Sequence, residues 1–372
     1  MLRTVSSLSP NLQLTLMSKI SFNNTSSPFF TTLKGKVNEY FANNSIHTSG
    51  NTKLYVKGTI QIASAIAMYI TLVFFTPGTL FSVLLCALLG VNLAVIGFNV
   101  MHEGGHQSFS KYKWVNVIGA YFLNILGGNT YFWKIKHNIN HHTYTNIEGM
   151  DSDIDIQPFM RLHSSQKRYA IHKFQHLYCV LLYGISYFMW IFWDDFEKYF
   201  TGKIAEGQVK KMNLKEHVIF WVTKLMYAAF YLIFPVFMLG LAKVVIGFAV
   251  ICFVCGLTIA IVFQLAHVVE ATSFPKPDEK SNKIEQEWAI HQVSTTANFS
   301  TNNKVISWLL GGLNFQVEHH LFPKISHVHY PKINQFVRET CEQYKVNYLE
   351  YSSVFKAIYS HFSHIKKMGQ AS

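Results

Sequence analysis

The stretch "TLFSVLLCALLGVNLAVIGFNVMHEGGH" (residues 79–106) decides how the rest of the chain is read. Residues 79–100 carry no charge and are long enough to cross a bilayer, which takes about 20 residues of helix. The run then passes straight into His102-Glu103-Gly104-Gly105-His106. Taken alone, H-E-x-x-H is the signature of a zinc protease: two imidazoles one helical turn apart and a glutamate to activate water. The alternative is that both histidines belong to a larger metal site at the end of a membrane helix. Gly104 and Gly105 then serve as close-packing residues where the helix leaves the bilayer.

Composition supports a membrane protein with substantial aqueous parts. Half of the 372 residues are apolar and 14% are charged, against about 25% in soluble domains. The 31 Phe, 19 Tyr and 7 Trp suit membrane–water interfaces. The net charge of +12 flanks apolar spans, a pattern of positive-inside topology and anionic headgroups. A nucleic-acid partner, which needs bases on a soluble face interleaved with exposed aromatics, is not expected. The same bases could instead receive a phosphorylated substrate handle such as coenzyme A. Cys252 and Cys255 have C-x-x-C spacing inside an apolar run and are expected to pack as small hydrophobes. Residues 1–38 contain no acid; residues 1–50 are expected to be a polar N-terminal segment, with Met17 a possible start, and 51–372 a single domain.

Four spans are predicted, at 59–76, 79–100, 218–239 and 243–266, forming two hairpins with Pro235 bending the third. Segments 114–132 and 176–193 are interrupted or crowded with aromatics and are expected in the interface. Parity supports this. If the histidine clusters share one side of the membrane, an even number of crossings must separate them. Lys34, Lys36, Lys53, Lys57, Lys111, Lys113, Lys134, Lys136, Lys167, Arg168, Lys210 and Lys211 all fall on that side, which is therefore expected to be cytoplasmic. Residues 133–175, 194–216 and 268–372 should build a cap there, with "HYPKINQFVRETCEQYKVNYLEYSSVFKAIYSHF" (residues 329–362) helical and packed on it. The predicted class is an all-α membrane protein: four transmembrane helices in two hairpins under a cytoplasmic helical cap that holds the metal site.

The chain's histidines gather in three groups: His102 and His106; His137, His141 and His142 in "KHNINHHTYTN"; and His319 and His320 in "NFQVEHHLFP". His267 stands alone at the exit of the fourth span. Residues four apart on a helix are separated by about 40° and share a face, so 102/106 and 137/141 are predicted to converge. Adjacent residues differ by about 100°, so a His-His doublet straddles two neighbouring ions more easily than it serves one. A catalytic zinc takes three protein ligands and an open position, and these groups overfill it. The pattern therefore describes a binuclear site. Imidazole serves iron, zinc, copper and nickel alike; two irons beside an apolar region would suit oxygen activation. Asp151, Asp153, Asp155, Glu318 and Glu270 are candidates to accept the second N–H of metal-bound imidazoles. Packing or interfacial roles are expected for His47, His163, His172, His176, His217, His291, His327, His329, His361 and His364.

With the three groups placed, the chain resembles the integral-membrane fatty acid desaturases. H-x3-H follows one hairpin, H-x3-HH comes about thirty residues later, and Q-x2-HH follows a second hairpin. Gln316 at the head of the third box, "HNINHHTYTNIEGMDSDID" and "QVEHHLFPKISHVHYPKI" resemble the front-end group, of delta-6, delta-5 and linoleoyl-CoA type. The resemblance implies a diiron centre held by His102, His106, His137, His141, His142, His319 and His320. It adds His267, and leaves Gln316 as a direct or water-mediated ligand. It implies O2 as co-substrate, a fatty acyl-CoA or acyl-lipid substrate, and electrons from a ferredoxin or cytochrome b5. Many relatives carry a fused cytochrome b5 domain with H-P-G-G, which does not occur here, so a separate carrier is expected. The alternatives are a diiron hydroxylase or monooxygenase on the same scaffold, an intramembrane zinc protease, and a metal transporter. The last would want ionisable residues inside the spans.

Overall fold

The computed structural model describes residues 20–24, 28–205, 207–209 and 211–371. Met17 and Lys210 lie outside them. Helix α1 (Pro28–Asn43) is followed by five helices long and apolar enough to cross a membrane, interrupted by two shorter ones. They are α2 (Thr52–Phe75), α3 (Thr79–Gly105), α4 (Lys113–Ile125), α5 (130–144), α6 (Ala170–Thr201), α7 (Leu214–Leu239) and α8 (Leu241–His267). The cap adds α9 (Trp288–Thr295), α10 (Lys304–Leu309), α11 (Gln316–Leu321), α12 (Tyr330–Tyr344) and α13 (Val354–Gln370). Strand structure among the described residues is three two-residue pairs, 21–22 with 283–284, 203–204 with 207–208, and 298–299 with 350–351.

Four of the apolar helices contain the predicted spans. α2 begins earlier because Asn51 caps it, accepting from Leu54 N. α3 runs past residue 100 to Gly105, so the first ligand pair rides on the membrane helix itself. α7 opens into a wide i→i+5 turn at Ala229–Ile233, just before Pro235, where the ring can supply no N–H. Of the two uncertain segments, 114–132 holds all but the first residue of the 13-residue α4, too short to span, and the start of α5. Segment 176–193 lies inside α6, a 32-residue helix. Both ends of α6 reach the end of the α7–α8 hairpin that is remote from its Gly240 turn. At one end Gln175 donates to Ile365 O of α13 (2.5 Å), and α13 itself holds Val268 O through His361. At the other end Tyr199 meets His217 at the start of α7 (2.8 Å).

Two wide turns lead directly into ligand groups. At Gly97–Met101 the His102 N–H bonds back to Gly97 O, and at Lys134–His141 the His142 N–H bonds back to His137 O. Such turns add a residue to the helical circuit and re-aim the side chains beyond it; they recur at functional sites.

The cap reaches further toward the N-terminus than expected. Phe29, Leu33, Val37 and Phe41, spaced four apart along α1, are buried against Ile333 and Val337 of α12 and Ala289 and Val293 of α9. Each such side chain contributes about 1.5–3 kcal/mol. The tail expected to be helical over 329–362 forms α12 and α13, separated where Lys345 takes a left-handed φ of 55°. Lys57, expected among the surface bases, is buried.

Gly104 lets α3 and α4 touch backbone to backbone. An added Cβ there would lie 2.6 Å from Ala120 N and 2.8 Å from Asn116 O. Gly104→Ala is expected to destabilise the fold by about 1–3 kcal/mol through overpacking. Gly35→Ala, with nothing within 4 Å, should be neutral or stabilising, by up to about 1 kcal/mol. Thermal unfolding of the purified variants in detergent checks both.

Candidate metal centre

Seven of the eight predicted histidines are buried and His137 is partly so, and all eight come together where α3, α5, α8 and α11 meet. Their ring nitrogens form two adjoining groups. The first is His102, His106, His137 and His319; the second is His141, His267 and His320. In the first, His137 Nε2 lies 3.0 Å from His102 Nε2, 3.1 Å from His106 Nε2 and 3.3 Å from His142 Nε2. His142 stands between the groups, its ring 4.6 Å from His319 and 4.4 Å from His320.

The His319–His320 doublet straddles as predicted, His319 joining one group and His320 the other; of His141–His142, His141 joins the second group and His142 lies between the two. His137 and His141 converge as expected: their rings stack at 5.2 Å and, with Asp153, form a third cluster of potential ligand atoms. His137 also belongs to the first group and His141 to the second, so the pair links the two.

The outward nitrogens fix each ring. His141 Nδ1 donates to Asp151 Oδ2 (2.9 Å), and His320 Nδ1 to Gln292 Oε1 (2.7 Å). His267 Nδ1 faces Thr295 O (3.3 Å), and His319 Nδ1 the Tyr330 hydroxyl (3.2 Å). With Nδ1 carrying the proton, Nε2 is left as a lone pair aimed inward. Inside, His141 Nε2, His319 Nε2 and Gln316 Oε1 have no partner. Gln316 Nε2 lies 2.9 Å from His267 Nε2 and 3.4 Å from His320 Nε2. Half a turn of that amide would direct its oxygen at the same imidazoles.

Neutral rings suit this arrangement. Burial, then neighbouring imidazoles, hold His106, His137, His142, His319 and His320 well below the usual histidine pKa. Burial also lowers that of His141, but the Asp151 carboxylate outweighs it and the net shift is upward. Inward lone pairs about 3 Å apart are what a common ion requires, since ligands about 2.0–2.1 Å from a metal lie about that far from one another. The residues fit two metal ions with several imidazoles each.

The carboxylates divide. Asp151 does what was expected. Asp153 pairs with Lys136 (2.5 Å) and lies 3.8 Å from His141. Asp155 caps a turn at Gln157 N. Glu318 accepts from Asn298 and Asn334, away from the rings, and burial raises its pKa to about 7. Glu270 bonds Lys367 and Ser363 at the surface. Neither Glu318 nor Glu270 supports an imidazole: Glu318 is buried against two asparagines, and Glu270 lies in the turn after α8 with its carboxylate held by Lys367 and Ser363. Glu103 is turned away too: Ser326 and His327 hold both its oxygens, so it is not placed to activate water between His102 and His106. The ring of His291 lies against Phe22, outside both groups.

Sequence reasoning passed over Gln292, Thr295, Tyr330 and Trp133. The indole of Trp133 stacks on His137 at 4.7 Å. Its position four residues before His137 was the one available signal.

Fold and site together define a multi-pass helical membrane protein with a buried cluster of histidines able to bind metal. Residues 77–352 match the model of the family described as fatty acid desaturase. The chain is 36% identical to the sn-1 linoleoyl-lipid 6-desaturase of Arthrospira platensis, covering 94% of this chain and 95% of that one. It is 34% identical to the acyl-lipid (8-3)-desaturase of Physcomitrium patens, over 92% and 72% respectively. It is 29% identical to the probable Delta(5) fatty acid desaturase C of Dictyostelium discoideum, over 92% and 76%. The chain belongs to the fatty acid desaturase family, and its relatives place it among the front-end desaturases, which are oxidoreductases.

Removing an acceptor behind a metal-bound imidazole costs about 10–100-fold in metal affinity. Asp151→Ala is expected to show that loss in competition with a chelator. Glu270→Ala should bind metal as the unaltered chain does.

Proposed function

We propose that the protein is a diiron front-end desaturase acting on an acyl chain esterified to a membrane lipid, with delta-6 insertion into linoleoyl-like chains the preferred assignment. The observation that carries the diiron part is the pair of adjoining imidazole groups with unpartnered inward nitrogens. His102, His106, His137 and His319 would hold one ion. His141, His267 and His320, with Gln316 direct or through water, would hold the other, and His142 lies between. When bound, the irons would supply reduction of O2 and removal of two hydrogens from neighbouring methylenes. Two electrons and two protons from outside complete the conversion of O2 to two waters.

The chain's own residues do the rest. Asp151, Gln292, Thr295 and Tyr330 orient the rings and fix their tautomers. Burial of seven of the eight histidines keeps bulk water from the reacting carbon. The acyl chain would lie between the apolar helices, and its depth would set the double-bond position. The lipid-linked substrate rests on the relatives' names: the Arthrospira protein is a linoleoyl-lipid desaturase. A hydroxylase on the same scaffold is the second reading, favoured by nothing in the site.

Topology follows from convergence. The second and third histidine boxes meet at one place, so of α6, α7 and α8 an even number cross. The two ends of α6 lie on the same side of the α7–α8 hairpin, which supports α6 as a helix that packs along α8 but enters and leaves on one face, and so four spans. The positive-inside rule then makes the site cytoplasmic. The exposed Lys111, Lys113, Lys167 and Arg168 suit an acidic ferredoxin or cytochrome b5. The domain would begin near residue 28, since α1 is part of the cap.

Expression in a host fed linoleate, with fatty-acid profiling of each lipid class, tests the activity. A new delta-6 double bond in lipid-bound chains is expected. His141→Ala should abolish it while the protein stays in the membrane. An unchanged profile with iron and electron donor supplied would defeat the assignment; a hydroxylated product would favour the second reading.

A further inference from the structure

We propose that residues Ser326–Tyr330, together with Lys57, form a bracket that positions the ligands of the first ion and leaves the second untouched. This rests on the diiron reading above. Glu103, beside His102 on α3, receives Ser326 Oγ at 2.7 Å, His327 N at 3.0 Å and His327 Nδ1 at 3.0 Å. His327 Nε2 lies 3.0 Å from Lys57 Nζ on α2, and that ammonium also donates to Trp308 O at 3.2 Å. One tautomer satisfies every partner: Nδ1–H donates to the carboxylate, and Nε2 accepts from the ammonium. Lys57, a neutral His327 and Glu103 thus make a buried triad without net charge.

The same segment reaches the ligand group from a second side. Three residues after His327, the Tyr330 hydroxyl meets His319 Nδ1 at 3.2 Å. The segment is itself anchored: Ser326 N donates to Thr48 O (2.8 Å), and His329 Nε2 meets Ser49 O (3.3 Å). It lies so close to Gly312 that a Cβ there would be 2.4 Å from His327 Cβ. One short stretch therefore controls the helix carrying His102 and His106 and the ring of His319, three of the four residues of the first group. The second group leans on other supports, Asp151, Gln292 and Thr295. The bracket's residues act through the ligands and are positioning residues.

The test is iron content and the Mössbauer spectrum of the purified full-length chain, read beside a size-exclusion profile. Two irons are expected in the unaltered protein. His327→Leu and Lys57→Met should lose about one of the two and the matching spectral component, keeping the other. His327→Gln should retain both, because its amide can donate to Glu103 and accept from Lys57. Lys57→Met combined with Glu103→Gln should recover iron relative to Lys57→Met alone, since no buried charge then lacks a partner. If His327→Leu does not fold, Tyr330→Phe carries the test by altering only the component that includes His319. Two irons with an unchanged spectrum in these variants, or equal loss of both components, overturns the bracket. An unaltered chain without two irons overturns the diiron reading and the bracket with it.

Discussion

Neutral imidazoles facing one another across about 3 Å in a site closed to water are a cost, because their lone pairs repel and no solvent relieves them. The protein holds this arrangement at His137 with His102 and His106, sets His319 beside them, and gathers His141, His267 and His320 in an adjoining group. Much of the surrounding structure holds the rings against that repulsion. Each outward nitrogen that donates to a carboxylate, amide, carbonyl or hydroxyl directs the opposite nitrogen inward. The supports come from the loop after α5, from α9 and from α12, so the site cannot form until the cap has closed over the membrane helices.

The helices are adapted to that end. α3 and α5 each deliver their ligands through a wide turn, which trades regular hydrogen bonding for a change of aim. Close glycine contacts lock the frame, with Gly104 against α4 and Gly256 against the backbone of α6. Lys224 of α7 ties α6 and the loop before α5 together, donating to Asp195, Ile191 O and Gly127 O. A buried lysine is tolerated there because each of its three protons has an acceptor.

Glu103 shows how one residue changes meaning with its neighbours. In H-E-x-x-H it is the general base of a zinc protease. Here its carboxylate is spent on Ser326 and His327, and a nearby lysine balances its charge through the imidazole. The histidines on either side keep their place in a metal site while the acid becomes part of the frame.

The sequence alone located four of the five helices long and apolar enough to cross a membrane, the eight histidines that gather at the site and the straddling of the His319–His320 doublet. These follow from local periodicity: apolar length fixes a membrane helix, and the rotation between adjacent residues fixes the doublet. It also offered Asp151, one of five candidate carboxylates and close in sequence to the ring it supports. How the imidazoles divide between the two groups was decided only by tertiary structure, because His319 meets His102, His106 and His137 while His267 and His320 meet His141 across the fold. The same holds for Gln292, Tyr330 and His327, which reach the site across 28, 11 and 224 residues. No spacing rule spans such distances; only packing of the cap on the helices brings them within hydrogen-bond reach.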